Sequence, residues 1–129
     1  MYQPLTLKQV ADAIRAELHA PNGDPWLWIR QFMDDFYAAT PDTRALLIAE
    51  RPELTGDPRF DAYLAALAEH FAFHYQLPTP LWVGEPERFL EQWWFPTQFQ
   101  SLHAQALVES PASFRRRGIF VDSTEFQRC

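Results

Sequence analysis

Eleven prolines in 129 residues rule out any long uninterrupted helix, and their placement dictates where short elements can begin. Proline lacks an N–H and crowds the preceding turn, so it is tolerated at the first position of a helix and excluded from its interior. Asp24-Pro25, Thr40-Pro41 and Asp57-Pro58 each set an oxygen-bearing side chain directly before a proline. Such a pair reads as a helix start, because the oxygen accepts from an orphan backbone N–H while the ring supplies helical φ. Gly84-Glu85-Pro86 and Ser110-Pro111 follow the same rule. The expectation is a chain of short helices with proline-punctuated connections.

Before the first of these starts, Thr6-Leu7-Lys8-Gln9 has capping-box spacing, and Leu7, Val10, Ala11, Ile14 and Leu18 recur with helical period until Pro21-Asn22-Gly23 turns the chain. From Pro25, Trp28, Ile29, Phe32, Met33 and Phe36 form a core-facing stripe that leaves Arg30, Asp34 and Asp35 outside. A third helix through Ala45, Leu46, Ile48 and Ala49 must end before Pro52. The longest runs from Pro58 to about Tyr75, with Phe60, Leu64, Leu67, Phe71 and His74 on its buried face and Ala62, Ala65, Ala66 and Ala68 raising its propensity.

Leu77-Pro78-Thr79-Pro80-Leu81-Trp82-Val83 reads as extended. A helix is then expected from Gly84 to Phe95-Pro96, with Phe89, Leu90, Trp93 and Trp94 on one face. Further units cover residues 101–108, a helix from Ser110 stopped by Gly118, and a last capping-box start at Asp122 and Glu125. Ile119-Phe120-Val121 is too short to make a sheet. The fold class is therefore mainly α: one small domain, residues 1–129, of about six or seven short helices.

A hydrophobic fraction of 47%, with 16% aromatic residues, supplies a packed core and argues against disorder. No apolar run reaches the ~20 residues a membrane span needs. The first residues resemble no signal peptide, and Cys129, the single cysteine, has no internal partner, so a cytoplasmic location is expected. Residues 1–110 carry seven basic and fifteen acidic groups (7 − 15 = −8), against four and two in residues 111–129 (4 − 2 = +2). An acidic body disfavours nucleic acid, whose phosphates call for clustered cations. Ten of the eleven basic residues are arginine, which suits planar contacts to carboxylates and aromatic rings.

Residues capable of chemistry are present but not assembled. His70 and His74 have the i, i+4 spacing of two metal-ligating imidazoles, with Glu69 beside them and His103 on another unit. The glutamate precedes the first histidine, unlike the metalloprotease pattern, and no further ligand cluster is evident. A structural role in the core is preferred. Asp57 serves as a cap, which leaves Asp61 without a carboxylate partner for acid–base work. Glu85, Glu87 and Glu91 read as a first-turn charge set and a solvated face. No serine elbow and no glycine-rich phosphate loop occurs, and no catalytic residue, metal or cofactor is assigned.

Arg115-Arg116-Arg117 is the sharpest basic feature. Consecutive helix positions fan around the axis, so the three cannot grip one ligand, and dipole compensation with stacking on aromatics is the preferred reading. Trp82, Trp93, Trp94, Phe95 and Phe99 concentrate aromatic surface. Neighbours on a helix diverge by about 100°, so part of that surface is expected at a binding face.

Residues 55–122 contain TGDPRFDAYLAALAEH, LPTPLWVGEPERFLEQWWFP and SPASFRRRGIFVD. Over residues 52–129 these blocks resemble an uncharacterised bacterial family of regulator-like, antitoxin-like proteins, in which such a C-terminal domain often follows a helix-turn-helix domain. Some members lie beside nucleotidyltransferase-type toxins. Residues 1–51 lack a basic recognition helix, so DNA binding is not carried over.

The reading is a non-catalytic protein-interaction module. Its candidate partner-binding residues are Asp34, Asp35, Trp93, Trp94, Phe95, Arg115, Arg116 and Arg117. The expected partner is a protein of toxin-like kind, with a homodimer that buries the aromatics as a further alternative. Two other classes stand beside it: a metal-dependent enzyme using His70 and His74, and a nucleic-acid-binding regulator using the three arginines.

Overall fold

Thr6 closes the capping box that opens the fold: its hydroxyl accepts from Gln9 N at 3.2 Å, and its own N–H donates to Gln9 Oε1 at 3.0 Å. A computed structural model describes residues 3–96 and 110–121 of the chain. Four of its helices are α1 (Leu7–His19), α2 (Pro25–Ala38), α3 (Pro41–Ala49) and α4 (Pro58–His74). Asp24, Thr40 and Asp57 cap α2, α3 and α4 by accepting from Trp26 N, Thr43 N and Arg59 N, each ahead of a proline. A cap of this kind contributes about 1 kcal/mol, so the three starts hold through local chemistry. Between α1 and α2 a Cβ on Gly23 would sit 1.9 Å from the Glu17 carbonyl oxygen, so no larger residue passes there.

α4 is the central element. Every residue from Phe60 to Ala68 is buried, Asp61 included. A helix buried all round needs small residues where its neighbours come close, and Ala62, Ala65, Ala66 and Ala68 are fully covered. Phe36 of α2 stacks on Phe71 of α4, with ring centroids 4.2 Å apart and planes within 12°. Leu47 and Ile48 bring α3 into the same core. At the end of α4 the chain enters the left-handed region at Gln76 (φ 58°), and Leu77 N donates back to Ala72 O at 2.8 Å. This is the six-to-one bond of a Schellman stop, formed here without glycine.

Beyond α4 come two 3-10 turns, Leu81–Gly84 and Pro86–Arg88, and later the one-turn helix α5 (Ala112–Arg115). All three pack on α4. Gly118 takes the expected positive φ of 83° after α5. The described residues thus hold five α-helices and two 3-10 turns, fewer helices than expected, in a mainly helical fold. The expected units at 101–108 and from 122 onward lie outside the described residues. Among the described residues no helix is long and apolar enough to cross a membrane.

The helix expected from Gly84 to Pro96 does not form. The buried guanidinium of Arg88 donates to Pro52 O at 2.8 Å, to Asp61 O at 3.4 Å and to Glu85 at 3.1 Å, drawing the chain onto α4. Residues 90–94 then bond to the segment after α5 instead of to their own preceding turn. Leu90 N donates to Arg117 O, Trp94 N to Gly118 O and Phe120 N to Trp94 O. Trp94 and Ile119 make one isolated parallel bridge, and among the described residues no strand develops around it.

Two burial expectations are also corrected. Asp35 is buried, because its carboxylate accepts from Leu5 N at 2.9 Å and from Gln31 Nε2 at 3.0 Å. His74 is exposed, lying past the last turn of α4 that the core covers. On α3 the inward residues are Leu47 and Ile48, while Leu46 is 69% exposed.

Candidate functional site

The irregular path of residues 86–94 leaves a cleft of about 860 Å³ against the start of α4 and the loop before it. Its α4 side is braced by Asp61, whose Oδ1 accepts from both Thr55 N (2.7 Å) and Thr55 Oγ1 (2.9 Å). These two bonds hold the 55–57 loop to the helix it precedes. Arg59 lies along the wall with its Cζ 5.3 Å from the Trp94 ring centroid. Asp57 fixes it there by accepting from Nε at 3.2 Å and Nη2 at 3.0 Å. Burial pushes the Asp57 carboxyl up, but the hydrogen bonds and charge of Arg59 outweigh this and leave it below the usual carboxylate range.

Trp93 and Trp94 part company because the chain here is extended, so successive side chains take opposite sides. Trp94 turns inward and stacks on Trp26 at 5.9 Å, with Phe60 edge-on at 5.8 Å. Trp93 turns outward, 69% exposed, with Phe120 edge-on beside it at 5.0 Å. Phe95 is half-buried and stacks on the same Phe120 at 5.3 Å. Glu87 and Glu91 line the cleft beside Trp93, are exposed, and form no salt bridge with any described residue. The cations around them are engaged: Arg51 with Glu53 and Glu85, Arg88 with Glu85, Arg59 with Asp57.

The three consecutive arginines take three directions. Arg115 Nη2 donates to Ser110 O at 3.0 Å. Arg116 reaches Glu69 at 3.2 Å from an exposed position. Arg117 is fully buried and donates to Glu69 Oε1, Ser113 O and Val83 O at 2.7–2.8 Å. Arg116 and Arg117 both lie over Phe89, with Cζ 5.4 and 4.7 Å from its centroid. Stacking was the expected role, and burial removes Arg117 from any surface. Burial also pulls the Arg117 pKa down from its ordinary value against the opposing pull of Glu69. For Glu69, burial acts upward, and the bond from Arg117 with the charges of both arginines brings the carboxyl below its usual range.

His70 and His74 line a second hollow of about 550 Å³ together with Phe73 and Arg116. Their rings lie 5.5 Å apart and within 24° of parallel. Burial, helped by the charge of His74, pushes His70 down to about 4. Among the described residues no three His, Cys, Asp or Glu side chains converge to hold a metal ion. The nearby Glu69 already serves two arginines, and His103 lies outside the described residues, as do Phe99, Cys129 and Arg128.

Of the residues singled out from sequence, Trp93 and Trp94 line the cleft, and Phe95 adjoins it through Phe120. Asp34 and Asp35 lie on α2 and contribute nothing to its lining. Arg59, Asp61 and Glu91 also line the cleft; Arg59 was given no role from sequence, Asp61 was set aside as a carboxylate without a partner, and Glu91 was read as a solvated face. The available signal was the closeness in sequence of Glu91 to Trp93 and Trp94, all three of which line the cleft. No protein-family model matches the chain, and no curated protein or solved structure matches it either.

Proposed function

We propose that this chain is a non-catalytic protein-interaction module of the regulatory, antitoxin-like kind that residues 52–129 resemble. It acts stoichiometrically in the cytoplasm, covering a basic face of a toxin-like protein partner. The observation that carries the reading is Trp93, a large indole 69% exposed at a cleft that Glu87 and Glu91 also line. Exposed aromatics beside charge are characteristic of partner surfaces, where a few such residues supply most of the affinity. The net charge of −6 favours encounter with a basic partner. Trp94 packs inward on Trp26, Phe95 shares Phe120 with Trp93, Asp34 and Arg116 belong to the outer surface, and Asp35 and Arg117 hold the fold.

Affinity capture from native extract at moderate salt tests this. Wild-type protein should retain one stoichiometric protein partner, released by raising salt, while Trp93→Ala retains much less. Recovery of the wild-type chain alone would remove the proposal, and capture insensitive to Trp93→Ala would move the contact to another surface.

A further inference from the structure

One small assembly recurs in this molecule: an arginine laid over an aromatic ring and held there by a carboxylate. Arg59 sits 5.3 Å from the Trp94 centroid and is bound by Asp57. Arg88 sits 5.0 Å from Trp82 and is bound by Glu85. Arg117 sits 4.7 Å from Phe89 and is bound by Glu69. Each combines attraction of the cation to the ring face with charge-assisted hydrogen bonds to the carboxylate.

Trp93 has two of these three parts. Its ring is 69% exposed, and Glu87 and Glu91 line the same cleft without a salt bridge to any described residue. No guanidinium of the described residues lies over it, and the arginines around the cleft are committed to other rings or carboxylates. We infer that the cleft receives an arginine side chain from a partner protein. The guanidinium would lie on the Trp93 indole, with its N–H groups directed to Glu91 and Glu87. The inference rests on the protein-interaction reading and adds to it the chemical identity of the contact.

The ligand chemistry follows from the groups present. Carboxylates repel phosphate, which turns away nucleic acid. An ammonium offers no flat face to the indole and holds its water more tightly than a guanidinium does, so arginine is preferred to lysine. An apolar side chain would leave Glu87 and Glu91 facing it with nothing to satisfy them.

The test is calorimetric titration of the whole purified protein with capped Gly-Arg-Gly-Arg-Gly-Arg peptide, its lysine counterpart and its glutamate counterpart. The arginine peptide should bind saturably and about fivefold more tightly than the lysine peptide, with no binding of the glutamate peptide. Trp93→Ala and Glu91→Gln should each weaken it about tenfold at unchanged thermal midpoint, and Trp93→Phe should restore part of the loss. Equal affinity for arginine and lysine peptides, indifference to Trp93→Ala, or no saturable binding each overturns the arginine site. A captured partner that binds Trp93→Ala and Glu91→Gln as tightly as wild type also overturns it. Loss of partner capture only on mutating a different surface would sink this site and leave the module reading standing. Arginine-peptide binding without any captured partner would support the site while removing the broader reading.

Discussion

Arg117 Nη1 donates to Glu69 Oε1 at 2.8 Å, joining residues 48 positions apart in a place where the arginine has no solvent exposure. The same guanidinium satisfies the carbonyls of Ser113 and Val83, so it joins α4, α5 and the first 3-10 turn. Its Nε is buried and has no hydrogen-bond partner among the described residues, a cost that contact with Phe89 partly offsets.

Removing one member of such a pair strands the others. Arg117→Ala should therefore lose about 3 kcal/mol of stability, because it opens a cavity, leaves the Ser113 and Val83 carbonyls without this donor and reduces Glu69 to its exposed partner Arg116. Glu69→Gln keeps the shape and should lose about 1–2 kcal/mol. Urea denaturation of the single and double variants gives the coupling between them. Strict additivity would show that the contact contributes little.

The adjacent acids of α2 should behave differently. Asp34→Lys changes an exposed position and should cost less than about 1 kcal/mol. Asp35→Lys buries a cation where Leu5 N and Gln31 Nε2 need an acceptor, and should cost more than about 3 kcal/mol. Thermal unfolding of the two variants side by side decides this. Similar midpoints would contradict the burial of Asp35.

That pair shows where sequence reading stops. The starts of α1 to α4 were legible because each cap acts within three residues, through Gln9 in α1 and beside a proline in α2, α3 and α4. The inward position of Asp35 was not, since its partner Leu5 lies 30 positions away. The path of residues 86–96 was hidden for the same reason: local pattern favoured a helix, and bonds to residues 117–120 with the burial of Arg88 overrode it. Aromatic surface near Trp93 could be anticipated from composition. Its pairing with Glu91 in a cleft could not.

His70 makes stability depend on pH. Its folded pKa of about 4 lies below the ordinary imidazole value of 6.5, so between those values the unfolded chain takes up a proton that the folded chain refuses. The contribution is complete above about pH 6.5 and is lost as pH falls toward 4. After discounting for partial exposure, about 1–2 kcal/mol should disappear between pH 7.5 and 5. The depressed Glu69 acts lower, its contribution being lost below the ordinary carboxyl value of 4.5. Denaturant midpoints of wild type and His70→Leu across this range form the test: the variant should be flatter between pH 6.5 and 5, and parallel profiles would reject the assignment.

Gln76 ends α4 in a conformation that ordinary residues adopt at a cost. Gln76→Gly should raise stability by about 0.5–1 kcal/mol, while Gly118→Ala, at φ 83°, should lower it by about 1 kcal/mol. Calorimetric midpoints measure both, and a destabilised Gln76→Gly would mean that the glutamine side chain holds the stop.

The alanine-lined interior of α4 leaves its neighbours no side-chain slack to adjust. A position filled by the smallest side chain that has a Cβ can change only by growing, and growth there must push a whole neighbouring helix aside. The domain should consequently tolerate drift along the outer faces of α2 and α3 while Ala62, Ala65 and Ala66 admit almost nothing. A saturation library scored for folding would trace that boundary as a stripe of intolerance along one buried helix, at residues whose chemistry looks the least demanding in the chain.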